Sequence, residues 1–378
     1  MSNLFDYLEW RGDIPFSSDP FNEVDNLLLC ELAYIDYQDI VPPDSAEIPI
    51  REVCKIYCEK HTDEEIAEMA GVVRNSSLLL KETVKSHRFR DLTMSNYFNE
   101  IDPDRGIQIS AVTFSLGDGT AYAAFRGTDG TVVGWKEDLD FTFLNETPGQ
   151  RRAVQYLNEI QVMGLLRVGG HSKGGNLALY AAAFCEDQER IIEVYTNDSP
   201  GFRKEIMDKE GYLRILPKVI RIIPNDSVVG LLLNSKVPYR VIKSSAAGIR
   251  QHDGFTWSVI RDRFERAELS RISMMVEDTL SGWLERTDDT EREAFIDGIF
   301  SLLEATGKDN FRDIKDHKLK STESILSAIL SMPRERRLEG LHIMKNLGGS
   351  GRQTLMAYLN SHSEQNEEEE EEEEEETK

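Results

Sequence analysis

The sequence has few cysteines and no long apolar run, and both shortages exclude whole classes of protein. Only 4 of the 378 residues are cysteine, too few for the disulfide framework of a secreted domain. No apolar stretch is long enough to cross a bilayer. No basic segment followed by an apolar one marks a signal peptide at the amino terminus. We therefore expect a cytoplasmic protein with reduced thiols and no stable membrane insertion.

Basic residues are also scarce relative to acidic ones. The 44 Lys and Arg against 68 Asp and Glu leave a net charge of −24, which argues against nucleic acid or an anionic membrane as the main partner. Ten glutamates stand in one run at 367–376. Because this run repels itself and cannot bury apolar surface, residues 361–378 are predicted to be a disordered acidic tail.

The middle of the chain alternates between two periodicities. Strands are predicted at 107–115, 121–125, 164–168, 191–196, 219–223 and 239–242, and helices at 149–163 and 175–185. Repeated strand–helix–strand units require parallel strands joined by crossover helices. The predicted fold class is therefore α/β, with a mostly parallel central sheet. We divide the chain into an irregular lead-in at 1–20, the α/β core at 21–261, a helical region at 262–360 that forms a cap or subdomain, and the tail.

The segment around Ser172 has the pattern of a nucleophile elbow. Gly170-His171-Ser172-Lys173-Gly174 matches G-x-S-x-G between an apolar strand and a helix of small residues. A serine at the tip of so tight a turn needs small residues two positions to either side. The helix that follows supplies N–H groups where an oxyanion would form. The pattern predicts Ser172 as a nucleophile, although a glycine-rich turn with a capping serine also fits the bare pentapeptide.

A nucleophilic serine needs a base and an acid, which follow it in the order serine, acid, histidine in this type of fold. His252 lies in a polar loop and is the predicted base. Asp226 ends the strand-like run at 221–226 and is the predicted acid. Asp198 also leaves the end of a strand and is the alternative acid.

An oxyanion hole needs two donors. The backbone N–H of Lys173, directly after the serine, is the first. Thr128, in the loop after the strand at 121–125, is predicted to supply the second, although a simple turn would also explain this loop. Cys54, Cys58 and His61 share one helix face, but a zinc site needs further ligands. We therefore expect no metal and no cofactor.

These residues resemble a known family. The segment 125–128, followed by Trp135, Asp138 and the segment 170–175, is similar to class-3 lipases, and 221–229 resembles their acid loop. The segments 5–8, 10–13, 21–25 and 197–202 resemble more particularly the Mbeg-like family of bacterial hydrolases. The resemblance implies an α/β-hydrolase core. It implies the following site residues: Ser172, Asp226 and His252 as triad, and Thr128 and Lys173 at the oxyanion hole.

The expected function is that of a serine hydrolase that cleaves an ester or thioester acyl bond through an acyl-enzyme. The expected partner is a small acyl substrate, and the oligomeric state stays open. Peptidase or acyltransferase chemistry would fit the same residues. A different alternative is a non-catalytic protein that keeps the fold and binds a partner through its helical region and acidic tail.

Overall fold

The structure is a computed structural model that describes residues 2–69, 71–102, 105–128 and 140–293. The predicted helices beyond residue 293 and the acidic tail lie outside these residues. In chain order the helices are α1 (Leu4–Arg11), α2 (Glu23–Leu32), α3 (Ile50–Lys60), α4 (Asp63–Glu68), α5 (Gly71–Thr83), α6 (Pro148–Glu159), α7 (Lys173–Phe184), α8 (Lys204–Met207), α9 (Glu210–Ile215) and α10 (Arg271–Arg286). The strands are β1 (Ile48–Pro49), β2 (Thr93–Asp102), β3 (Ile107–Ser115), β4 (Thr120–Phe125), β5 (Leu165–His171), β6 (Ile191–Asn197), β7 (Val219–Pro224), β8 (Tyr239–Ile242), β9 (Val259–Ile260) and β10 (Arg263–Phe264).

Strands β1 to β8 form one sheet, in which the order in space follows the order in the chain. Strands β1 to β4 pair antiparallel, and β4 to β8 pair parallel. A short turn joins β3 to β4, and the two strands form a hairpin. The predicted α/β fold with a mostly parallel central sheet is therefore confirmed.

Helices cover both faces of this sheet. Along β4, Ala121 and Ala123 pack with the crossover helices α6, α7 and α9. Tyr122 and Ala124 pack with α1, α2, α3 and α5 in the other apolar cluster. This alternation follows from the two-residue repeat of a strand. Strands β4 to β7 follow one another in one direction across the sheet, and crossovers of the same hand place their helices on a single face.

Helix α1 lies where the sequence predicted an irregular lead-in, so that prediction is wrong for residues 4–11. The side chain of Asn3 accepts the N–H groups at the start of the helix, and Asp6 accepts the N–H of Asn3 at 2.8 Å. This reciprocal capping fixes the helix start. Tyr7 is buried on the inner side of the helix. Gly12, which suggested irregular structure, stands just beyond the helix end.

A buried ion pair holds the amino-terminal helices in place. Arg88 donates to both carboxylate oxygens of Asp25, at 2.8 and 2.5 Å, and the hydroxyl of Tyr7 donates to the same carboxylate at 2.7 Å. The side chains of Asp25 and Arg88 are both 0% exposed. Removing two charges from water is costly, and close pairing offsets only part of that cost, because burial still raises the pKa of Asp25 above its usual value.

The substitution Asp25→Ala should lower the free energy of unfolding by about 3–5 kcal/mol, because it leaves the Arg88 guanidinium buried without its anion. Asp19 is partly exposed and lies 3.7 Å from the same arginine, so Asp19→Ala should cost only about 1 kcal/mol or less. Urea unfolding followed by tryptophan fluorescence measures both changes. Equal losses in the two variants would contradict this interpretation of the ion pair.

Candidate active site

Ser172 occupies a strained turn between β5 and α7. Its backbone has φ 57° and ψ −133°, a region that residues other than glycine rarely adopt. A methyl group on Gly170 would lie 2.2 Å from the carbonyl carbon of Gly174. One on Gly174 would lie 2.1 Å from the carbonyl oxygen of Phe125. Both glycines are therefore required for α7 to begin so close to β4 and β5.

The loop after β4 packs directly against this serine. A methyl group on Gly127 would lie 3.1 Å from the Cβ of Ser172 and 2.7 Å from the carbonyl oxygen of His171. Thr128 is the next residue of the loop, and Lys173 is the first residue of α7. The structure thus brings the segments of both predicted oxyanion donors to Ser172. Trp135 and Asp138 lie outside the described residues.

His252 is paired with Asp198. The Nδ1 atom of His252 lies 2.6 Å from Oδ2 of Asp198, whose side chain is 1% exposed. Asp226, the acid favoured from the sequence, does not contact the imidazole. Its Oδ2 instead accepts the N–H of Gly248 at 3.0 Å and the side-chain amide of Gln251 at 2.8 Å. The structure therefore contradicts the pairing of Asp226 with His252 and favours the alternative acid.

The carboxylate of Asp198 is surrounded by donors. Its Oδ1 accepts the hydroxyl of Ser227 at 2.5 Å and the N–H of Gly230 at 3.0 Å. Burial raises the pKa of Asp198, but the hydrogen bond and charge of His252 and the hydrogen bond of Ser227 outweigh burial, and the net pKa lies below its usual value. The group is therefore ionised at neutral pH and can orient the imidazole.

The ring of His252 lies beside the end of β5, which leads into Ser172. The rings of His252 and His171 have centroids 4.6 Å apart, and His171 directly precedes Ser172. Among the described residues no hydrogen bond joins the Ser172 hydroxyl to the His252 ring. Such contacts are commonly long in ligand-free proteins and tighten when substrate binds.

A buried polar layer beneath the site escaped the sequence prediction. Tyr34 donates to or accepts from Nδ1 of His171 at 2.9 Å, and Oε1 of Glu31 lies 3.8 Å from the same nitrogen. Glu31 is 0% exposed, and within the described part of the chain neither of its carboxyl oxygens has a hydrogen-bond partner. Burial, followed by the charge of Asp253, raises the pKa of Glu31 well above its usual value. The sequence did carry an indication of this buried acid, because Glu31 stands among the apolar residues of α2.

Different fold classes combine a serine, a histidine and an acid, and they differ in the order of these residues along the chain. Here Ser172 follows β5, Asp198 follows β6, and His252 comes later, after β8. Serine, acid, histidine at the carboxyl edge of a mostly parallel sheet is the order of the α/β-hydrolase fold. The chain therefore belongs to the α/β-hydrolase fold class.

The family can also be assigned. The sequence profile described as Mbeg1-like matches residues 83–301, which is more than half of the chain. The protein thus belongs to the Mbeg1-like family, as its sequence resemblance suggested. No curated protein matches the sequence.

Lipases are among the solved structures similar to this chain. The native Rhizomucor miehei lipase propeptide complex is 17% identical and covers 43% of this chain and 58% of its own, with a TM-score of 0.30. The M37 lipase is 15% identical and covers 55% of this chain and 69% of its own, with a TM-score of 0.36. The chain thus spans less than two thirds of the Rhizomucor lipase.

Across the described ranges, no helix is both long enough and apolar enough to cross a membrane.

The raised pKa of Glu31 predicts a pH-dependent stability. In the unfolded chain, the carboxyl group of Glu31 loses its proton at a pKa of about 4.3. In the folded protein the raised pKa means that the same group keeps its proton to a higher pH. Above the pKa of the unfolded state, the contribution of Glu31 to the free energy of unfolding therefore falls as pH rises, by up to about 1.4 kcal/mol per pH unit. The substitution Glu31→Gln removes the loss, so the variant should gain stability over the wild type between pH 5 and pH 8.

Urea unfolding of both proteins at each pH measures the difference. Glu64→Gln, on the exposed side of α4, controls for the loss of one carboxyl group. A difference between Glu31→Gln and the wild type that is constant across this pH range would show that Glu31 is already ionised in the folded protein.

Proposed function

We propose that the protein is a serine hydrolase that cleaves a small ester or thioester through an acyl-enzyme, with Ser172 as nucleophile, His252 as base and Asp198 as acid. The observation that carries this proposal is the short contact between Nδ1 of His252 and the buried, donor-rich carboxylate of Asp198. A buried carboxylate on Nδ1 fixes the tautomer whose Nε2 is free to accept a proton. Serine peptidase and acyltransferase chemistry would use the same three groups.

The reaction proceeds in two halves. Ser172 attacks the acyl carbonyl carbon as His252 takes the hydroxyl proton, and the imidazolium then protonates the leaving alcohol or thiol. Water repeats the sequence: His252 removes a proton from it, the hydroxide attacks the acyl carbon, and Ser172 regains its proton. Asp198 stays ionised throughout and stabilises the imidazolium.

The oxyanion of each tetrahedral intermediate would lie between the loop after β4 and the start of α7. The contact of Gly127 with Ser172 supports a place for Thr128 in this hole, and Lys173 would add its backbone N–H. The positive end of the α7 dipole favours the same negative charge.

Helix α10 supports a cap over this edge of the sheet. At its start, the N–H of Ser270 donates to the carbonyl of Asn225 at 2.8 Å, just after β7. Beyond its end, Arg292 donates to the carbonyl of Thr142 at 3.0 Å, in the connection that follows β4. The segment thus links the loop after β7 to the connection that follows β4. A helix in this position would restrict the size of the acyl group.

A fluorophosphonate probe tests the proposal. The wild type should be labelled, and Ser172→Ala should not. Asp198→Asn should label about 10³–10⁴ times more slowly, because an amide favours the wrong imidazole tautomer. Asp226→Asn is the matched control and should stay within about threefold of the wild type, since an amide oxygen still accepts the hydrogen bonds at that position. Mass spectrometry of the labelled peptide gives the site and the rate.

Two outcomes would count against this assignment. A wild type that resists the probe, under conditions that label a known serine hydrolase, would argue that the fold has no such activity. A large loss in Asp226→Asn with none in Asp198→Asn would restore the acid first predicted from the sequence.

A further inference from the structure

We propose that His171 is a positioning residue, whose side chain holds the backbone of His252 so that the catalytic imidazole meets Ser172. The inference rests on the proposed function and adds a residue to it. His171 is the last residue of β5 and is 4% exposed. Its Nε2 lies 2.7 Å from the carbonyl oxygen of His252. The strand that delivers the nucleophile thus also holds the residue that must take the proton.

The hydrogen-bond partners fix the tautomer of His171. A carbonyl oxygen only accepts, so Nε2 must carry the proton that the His252 carbonyl receives. Burial, followed by the charge of His252, lowers the pKa of His171 to about 3, which keeps the ring neutral. Its Nδ1 is therefore an acceptor, and the Tyr34 hydroxyl must donate to it across 2.9 Å. Tyr34 thereby locks the ring with Nε2–H directed at the loop.

A second buried donor holds the preceding carbonyl of the same loop. The indole N–H of Trp257 donates to the carbonyl oxygen of Gln251 at 2.8 Å. The rings of Trp257 and His171 meet edge to face, with centroids 6.2 Å apart. Consecutive carbonyls are thus held by two side chains that also contact each other. Of the two, only His171 belongs to the strand that ends at the nucleophile.

Loss of the hydrogen bond from His171 to the His252 carbonyl is expected to affect turnover more than substrate binding. Among the described residues no hydrogen bond joins the imidazole to the Ser172 hydroxyl, so the approach of the ring depends on where the loop backbone lies. A displacement of about 1 Å in a reacting group can cost about 10²-fold in rate. Loss of the tether should therefore lower kcat and leave KM nearly unchanged.

The experiment compares variants that keep or remove the donor, with p-nitrophenyl butyrate as the probe substrate. His171→Leu should lower kcat by about 10²-fold, with KM within about threefold of the wild type. His171→Gln can present an amide N–H in place of Nε2–H and should recover most of that loss. Tyr34→Phe keeps the ring of His171 but removes the donor that locks it, and should lower kcat by about tenfold.

Cys30→Ala, one turn before Tyr34 and buried against Tyr122 and Asn197, is the matched control and should leave kcat unchanged. If His171→Leu does not fold, the comparison of Tyr34→Phe with Cys30→Ala decides the question. A wild-type kcat in His171→Leu, or in Tyr34→Phe, would overturn the inference while leaving the proposed function intact. A His171→Gln variant as slow as His171→Leu would also overturn it. A wild type without Ser172-dependent turnover would instead overturn the function itself.

Discussion

The site depends on how closely helix α7 approaches the carboxyl ends of β4 and β5. Side chains at Gly170 or Gly174 would collide with backbone atoms at about 2 Å, so that this approach is possible only with glycine at both positions. The approach forces Ser172 into its strained conformation. It also places the helix amino terminus and the loop after β4 against the same hydroxyl. Backbone sterics therefore create the environment that an oxyanion needs before any substrate arrives.

Around that turn, the surroundings of each polar group determine whether it is charged or neutral. Asp198 is buried among donors, which lower its pKa. Glu31 is buried with no donor to its carboxyl oxygens in the described part of the chain, and burial raises its pKa. The ring of His171 lies between these environments and is neutral because burial lowers its pKa. Among the described residues, Asp198 is thus the carboxylate that pairs with the His252 imidazole.

The sequence predicted the parts of this arrangement that local patterns determine. The α/β class, the strands that flank the site and the turn at Ser172 all follow from periodicity and from glycine spacing. The choice between Asp198 and Asp226 could not be predicted, because both follow neighbouring strands at the same edge. It is decided by Gln251, whose side chain binds Asp226 and leaves His252 facing Asp198. The pairing of His171 with the His252 backbone is equally long-range, because the two residues are 81 positions apart in sequence.

A crystal structure of the protein after reaction with diethyl p-nitrophenyl phosphate tests the central claim most directly. We predict phosphorus bonded to the Oγ of Ser172, a phosphoryl oxygen near the backbone N–H groups of Thr128 and Lys173, and His252 still paired with Asp198. Phosphorylation of a different residue, or a His252 ring that faces Asp226 in the modified protein, would contradict it.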